Sequence, residues 1–302
     1  MKITRKDFLK SGALITGGLF LPGFKFISAF QEQKYKFISI RNNIGIFTER
    51  GGTIGWYATQ DALVVIDSQY PETAKNLVEG LKQKTERKID LLFNTHHHGD
   101  HTAGNLYLKD FANKIVAHEN CKALQEKNYG GNPDKPQIYP GATFTNSWGE
   151  DIGKEKVVAR YFGPAHTGGD SVVHFENANI AHMGDLVFNK TFPFIDPNGG
   201  GSVQQWVFTL EKIIKHYERD TTFIFGHSIA DEFLVGNRKD LIAMKNYLSA
   251  LVDFVSKEIK NGKAKEEIAS ASAIPGFEDI KERWQGARKM NIERTYDELI
   301  IK

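Results

Sequence analysis

Beyond residue 34 the chain opens with short apolar runs of β type. Residues 35–41, 44–48, 53–58 and 62–67 read as strands, with turn signals at Asn42-Asn43 and Gly51-Gly52. Helical periodicity over 71–84 leads into an apolar run at 89–94, so a meander passes into βα units. Residues 114–118 read as a strand, 119–127 as a helix and the Gly-, Pro- and Asn-rich stretch 130–141 as a surface loop. The second half repeats this scheme, with strands at 156–162, 171–175 and 180–182, a helix at 203–216 and a strand at 222–225. Leu241, Met244, Leu248, Leu251, Val255 and Ile259 then recur at helical spacing and stop at Asn261-Gly262, a helix-ending pair. Two more helical segments end the chain. Two similar halves, each running from strands to helices, predict an α/β fold of two packed sheets with helices outside.

Composition adds little to this picture, but charge does. Forty per cent of the 302 residues are hydrophobic and 25% charged, with 28 Gly and 9 Pro, which excludes collagen, disorder and a disulfide scaffold. The single cysteine, Cys121, permits no intrachain disulfide. The formal charge of +2 is uneven: residues 1–29 carry Lys2, Arg5, Lys6, Lys10 and Lys25 against Asp7 alone, so the remainder is net −2. That remainder has no basic stripe, and no nucleic-acid partner is expected.

The basic segment itself has the order of an export signal. A charged start precedes a Gly-rich apolar run at 11–24, and Ser28-Ala29 offers a small-residue cleavage region. Thr4 to Lys10 resembles the twin-arginine pattern, with Lys6 in place of the second arginine; an anchoring amphipathic helix is the alternative. The apolar run is shorter than the roughly 20 residues a membrane span needs, and no other apolar run is long enough to span one. The expectation is an export signal over 1–29, a bacterial periplasmic location and one domain over 30–302.

Five of the ten histidines carry the chemistry. Directly after the apolar run at 89–94 comes Asn94-Thr95-His96-His97-His98-Gly99-Asp100-His101. In extended chain, residues two apart point the same way, so His96 and His98 can share a metal while His97 turns aside. Gly99 allows a sharp bend, after which Asp100 and His101 begin a helix and can face a second metal. Imidazole and carboxylate donors so spaced suit Zn²⁺. His166 stands in Gly163-Pro164-Ala165-His166-Thr167-Gly168 between two strands, Asp185 in His182-Met183-Gly184-Asp185, and His227 in Phe225-Gly226-His227. His97 is expected beside the site or exposed, His182 to be structural and Cys121 to be an inert thiol. His118, His174 and His216 carry no local signal. Asp67 and Thr95 either hold ligand imidazoles or cap strand ends.

This ordered set, HxHxDH, then a lone His, Gly-Asp and Gly-His, resembles the metallo-β-lactamase superfamily from about residue 35 to the C-terminus. The resemblance implies a four-layer αββα sandwich with metals at the sheet edges. It implies His96, His98 and His166 on one metal, Asp100, His101 and His227 on a second, and Asp185 bridging the two or ligating the second. Two Zn²⁺ per chain are expected, with Fe or Mn as alternatives. The reaction implied is acyl-bond hydrolysis of a small molecule (amide or lactam, lactone, ester or thioester) by a metal-bound hydroxide that Asp100 orients.

Two departures shape that expectation. Asp185 stands where the dinuclear zinc β-lactamases have a cysteine, which favours a symmetric oxygen-bridged pair and widens the choice of metal. Phe188 stands where they have a carboxylate-binding lysine, and Lys190 nearby is expected to be solvated. The aspartate version is similar to glyoxalase-II-like thioesterases and lactonases. A strict β-lactamase and a mononuclear-iron persulfide dioxygenase are the alternatives, with a binding protein that kept only the scaffold behind them. The loop 189–201, with Phe192, Phe194 and Asn198, is expected to rim the substrate site.

Overall fold

The structure is a computed structural model that describes residues 35–134 and 136–301. The expected export segment, 1–29, lies outside the described residues. Among those described, no helix is long and apolar enough to cross a membrane.

The first half begins as an antiparallel meander of β1 (Lys36–Arg41), β2 (Ile44–Thr48), β3 (Ile54–Ala58) and β4 (Leu63–Ile66). Asn42 and Asn43, at φ 50° and 60°, make the β1–β2 connection, since asparagine tolerates the left-handed backbone a two-residue hairpin needs. After α1 (Pro71–Lys82) the strands run parallel. They are β5 (Leu91–Asn94), β6 (Ile115–His118) and β7 (Ala142–Phe144), reached through the short helices α2 (Gly99–Thr102) and α3 (Asn105–Leu108) and then α4 (Glu119–Tyr129). These seven strands form one sheet in sequence order.

The second half starts with a meander of β8 (Ser147–Ile152), β9 (Glu155–Tyr161), β10 (Ser171–Phe175) and β11 (Ile180–His182). A two-residue strand, β12 (Phe188–Asn189), precedes α5 (Val203–His216). Then come β13 (Thr222–Ile224), β14 (His227–Ser228), β15 (Val235–Gly236) and the helices α6 (Arg238–Lys260), α7 (Lys265–Ala269) and α8 (Ala287–Ile300). The sheet order is β15-β13-β11-β10-β9-β8, while β12 and β14 pair separately.

Side-chain alternation sorts the layers. On β4, Val64 and Ile66 face the core between the sheets, where Phe93, Val173, Phe175 and Ile224 meet them. Leu63 and Val65 face the other way, against Leu77 and Leu81 of α1. On the far side of the second sheet, Ala181 and Phe223 pack with Trp206, Leu210 and Ile213 of α5 and Leu248 and Leu251 of α6. The result is the expected four-layer αββα sandwich. The helix expected from the spacing of Leu241 to Ile259 is α6: Asn237 caps its start, and Gly262, at φ +79°, follows its end.

Strands β7 and β8 were absent from the sequence expectation. Both lie at sheet edges and are largely exposed, so neither needs an apolar run; β8 even contains Gly149, Glu150 and Asp151. The loops following β4, β5, β9, β11 and β13 supply the residues that meet at the candidate site.

Candidate metal centre

The site is built on Asp67, at the end of β4. Its backbone is left-handed, φ 66°, an unfavourable state for a non-glycine residue held by its surroundings. Fully buried, its carboxylate accepts from Thr95 N and Thr95 Oγ1, both at 2.8 Å, and from His101 Nδ1 at 2.7 Å. Because the Thr95 hydroxyl spends its proton on Asp67, its oxygen is left to accept from His96 Nδ1, 3.1 Å away. His96 and His101 are thereby fixed with Nδ1 protonated and Nε2 turned inward. Of the two readings for Asp67 and Thr95, the geometry shows the one in which they hold imidazoles.

His166 and His98 are fixed in the same manner. His166 Nδ1 donates to the Phe194 carbonyl at 2.6 Å, leaving Nε2 as a lone pair. His98 Nε2 donates to Asp196 Oδ2 at 2.9 Å, leaving Nδ1. Those two bare nitrogens, His166 Nε2 and His98 Nδ1, then stand 2.9 Å apart. His96 and His98 do converge, with ring centroids 4.9 Å apart, but not by strand alternation, since residues 95–97 form a bend. Nor is Gly99 a special bend residue: it is simply the first residue of α2.

Glycines bring in the remaining carboxylate. Gly184, at φ +50°, opens a short 3-10 turn over Gly184–Leu186, and a Cβ there would lie 2.6 Å from Thr95 Oγ1. A Cβ on Gly226 would lie 2.0 Å from Asp185 Oδ1. With both spaces open, Asp185 enters the middle of the histidines. Its Oδ1 is 3.1 Å from His101 Nε2, and its Oδ2 is 3.3 Å from His227, 3.6 Å from His166 and 3.8 Å from His96, each at Nε2. Asp100 Oδ2 lies 3.1 Å from His227 Nε2 and 3.8 Å from His101 Nε2. His96, His98, His166 and Asp185 thus form one donor group, and Asp100, His101 and His227 a second; within each, the donor atoms lie within 4.8 Å of one another. All seven residues expected at the site come together.

The electrostatics fit cations. Burial, with the neighbouring histidines, drives the imidazole of His96 well below its usual range; burial and His98 take His166 down to about 3. Burial opposes ionisation of Asp185 as well, but His227 and His101 outweigh it and hold the carboxyl well below the usual range. For His101, burial is overcome by Asp185, Asp100 and Asp67 together, and the value is raised well above the ordinary one. His96 Nε2 is buried without a hydrogen-bond partner, and the buried His101 Nε2 and Asp185 Oδ1 have only each other, an arrangement costly for ordinary polar groups. Converging lone pairs and buried carboxylate oxygen are what a nitrogen- and oxygen-binding divalent cation satisfies.

Two features lay beyond the sequence reading, Asp196 and the Arg283-Trp284 segment, while His97 lies beside the site, the first of its two expected places. Asp196, after the buried Ile195, receives His98 and is itself held by Gly199 N at 3.0 Å. Its local signal was an Asp-Pro turn opener, too common to single out. His97 is fully buried, with Nε2 3.5 Å from Asp196 Oδ2; burial and His98 bring its value down to about 3. Arg283 and Trp284, from the segment between α7 and α8, line the cavity over the site, and the Arg283 guanidinium donates to His227 Nδ1.

One expectation about the rim is corrected. Phe194 and Asn198 do line the cavity, but Phe192 is 2% exposed and packs on Tyr247 in the core, 5.7 Å between ring centroids. His182 is buried and structural, with Nε2 donating to Thr53 O and Nδ1 accepting from Gly184 N, both at 3.1 Å. Cys121 is buried, and burial pushes its thiol well above the usual range, which makes it inert. Lys190 is exposed and lies over the Phe233 ring.

Asp170 supplies a test of these electrostatics. Burial pushes its carboxyl up to about 8, although Thr167 N and Oγ1 both donate to it at 2.7 Å. The folded value exceeds the unfolded one of about 3.9. The stability this group contributes is therefore present below about pH 4 and is lost as pH rises towards 8. Unfolding midpoints of the metal-free protein, measured at about pH 5 and about pH 8.5, should differ less in Asp170→Asn than in the native chain. Equal pH slopes would remove Asp170 as their source.

Comparison with known proteins agrees with this geometry. The family model of the metallo-beta-lactamase superfamily matches residues 47–227. A type 2 metallo-beta-lactamase of Elizabethkingia meningoseptica is 22% identical over 247 residues, covering 78% of this chain and 93% of that protein. A hydroxyacylglutathione hydrolase of Nostoc punctiforme is 30% identical over 114 residues, 37% of this chain and 40% of that one. The solved structure of a stereoselective inverting sec-alkylsulfatase from Pseudomonas sp. superposes with a TM-score of 0.69 at 14% identity; the alignment covers 87% of this chain and spans half the length of that enzyme.

Proposed function

Because the chain belongs to the metallo-β-lactamase superfamily, we propose that this metal-dependent hydrolase is exported and cleaves an acyl bond (amide or lactam, lactone, ester or thioester) with two divalent cations, zinc first among them. The observation that carries the reading is the central position of Asp185, whose two carboxylate oxygens face both donor groups. His96, His98 and His166 would hold one cation and Asp100, His101 and His227 the other, with Asp185 shared. Bound there, such ions supply Lewis-acid polarisation of a carbonyl and hydroxide at neutral pH.

The protein's own groups do the rest. Asp67, Thr95, Asp196 and the Phe194 carbonyl set the imidazole tautomers of His96, His98, His101 and His166, so the donor nitrogens of these four need no reorganisation. Asp100 reaches the cavity, and its neighbours His101 and His227 overcome burial to keep its carboxyl below the usual range. It therefore stays ionised and can accept a hydrogen bond from the attacking water, which orients the nucleophile. Export rests on the order of residues 1–29, and a small-molecule substrate on the aromatic-lined cleft over the site.

Elemental analysis of the purified protein is expected to find two zinc atoms per chain. Hydrolysis of at least one of nitrocefin, a thioester and a lactone should disappear on chelation and return with added zinc. One iron per chain, with oxidation of a persulfide, would overturn the dinuclear reading in favour of the dioxygenase.

A further inference from the structure

The cavity over the metal centre has a volume of about 1240 Å³, above the roughly 300–1,000 Å³ usual for small-molecule sites. Its walls include Tyr70, Tyr129, Phe188, Phe194 and Trp284. A short acyl chain would leave most of those rings in contact with water.

Arg50 and Arg294 stack on Tyr70 and Phe194 from outside the cavity lining, and one cation lines the cavity itself. Arg283 is the only lysine or arginine among the described residues that line the cavity. Nearby basic groups are already engaged, Arg50 with Glu72 and Lys36 with Asp231. Among the described residues Arg283 has no carboxylate partner; its one hydrogen bond, to His227 Nδ1, uses one of five N–H donors. Its backbone is anchored. Lys281 bridges to Thr191, whose hydroxyl donates to the Lys281 carbonyl at 2.9 Å. The Glu282 carboxylate accepts from Gly286 N at 3.0 Å and Arg288 N at 3.1 Å, at the start of α8. A held guanidinium with spare donors, set among aromatic walls, matches a planar oxyanion on an apolar molecule.

We propose that the substrate is an acyl compound with a bulky apolar body and one oxyanionic group, the body lying against the aromatic walls and the oxyanion on Arg283. The substrate class rests on the acyl-hydrolase reading above; the anion site does not.

The test uses a matched pair on zinc-loaded protein, the 4-nitrophenyl esters of 4-carboxyphenylacetic acid and 4-methylphenylacetic acid. Arg283 touches a residue of the centre, so the readout is the ratio of kcat/KM for the carboxylated over the methylated ester, which cancels general damage. Arg283→Ala is expected to lower that ratio by about tenfold or more, and Arg283→Lys to retain part of it. Equilibrium binding of the two matching primary amides, 4-carboxyphenylacetamide and 4-methylphenylacetamide, followed by tryptophan fluorescence, should show the same discrimination. If neither ester is hydrolysed, the acyl-hydrolase reading falls, and the binding pair alone decides the anion site. Ratios unchanged by Arg283→Ala, in hydrolysis or, failing hydrolysis, in binding, overturn the proposal.

Discussion

Asp185→Ala is expected to lower kcat by about a thousandfold or more and to leave the protein folded. Asp185 is the carboxylate that lies against His96, His101, His166 and His227 at once, between 3.1 and 3.8 Å. Removing it takes away the negative charge the two donor groups share and leaves the buried His101 with fewer carboxylates around it. Loss of one preorganised group in a buried catalytic site typically costs about a hundred- to a thousandfold, and a shared ligand affects two cations. Asp185→Asn, which keeps the volume and removes the charge, should fall between alanine and the native residue. Metal content and kcat measured on the same preparations decide the matter, with circular dichroism as the check on folding. Two metals per chain and undiminished turnover in the alanine variant would dismiss the shared position.

Trp206→Ala should have the largest effect on stability, a loss of about 3–5 kcal/mol. Trp206 is completely buried on α5, and its Nε1 donates to the Leu186 carbonyl at 3.0 Å. Its ring centroid is 5.7 Å from that of His166 and 6.4 Å from that of Phe188. Truncation would open a cavity beneath the metal centre and strand the carbonyl next to Asp185, so metal affinity should weaken along with the fold. Denaturant unfolding checks the first effect and chelator competition the second. A stability loss under about 1 kcal/mol would mean that the surrounding side chains collapse into the space.

Legibility in the sequence followed distance along the chain. His96 to His101 declared themselves because four donors stand within six residues at the end of an apolar run. His166, Asp185 and His227 each stand alone, and the ordered resemblance was needed to pick them out. Asp196 meets His98 across 98 positions, and Arg283 meets His227 across 56. Such encounters depend on how loops cross a folded surface, which no local pattern encodes. The strands legible in the sequence were those with apolar runs; β7 and β8 escaped because edge strands can be polar. Phe192 was misplaced for the converse reason, since an aromatic ring in a Gly-rich loop reads as exposed until a helix is seen to cover it.

The join between the sheets, at residues 145–146, has a further implication. His96, His98, Asp100 and His101 precede it; His166, Asp185 and His227 follow it. Each donor group therefore takes two side chains from the amino-terminal half and at least one from the carboxy-terminal half. Neither half, folded without the other, encloses a cation with a full set of donors. A complete set of donors therefore requires both halves, and a chain of which only the first half has been synthesised cannot assemble the site.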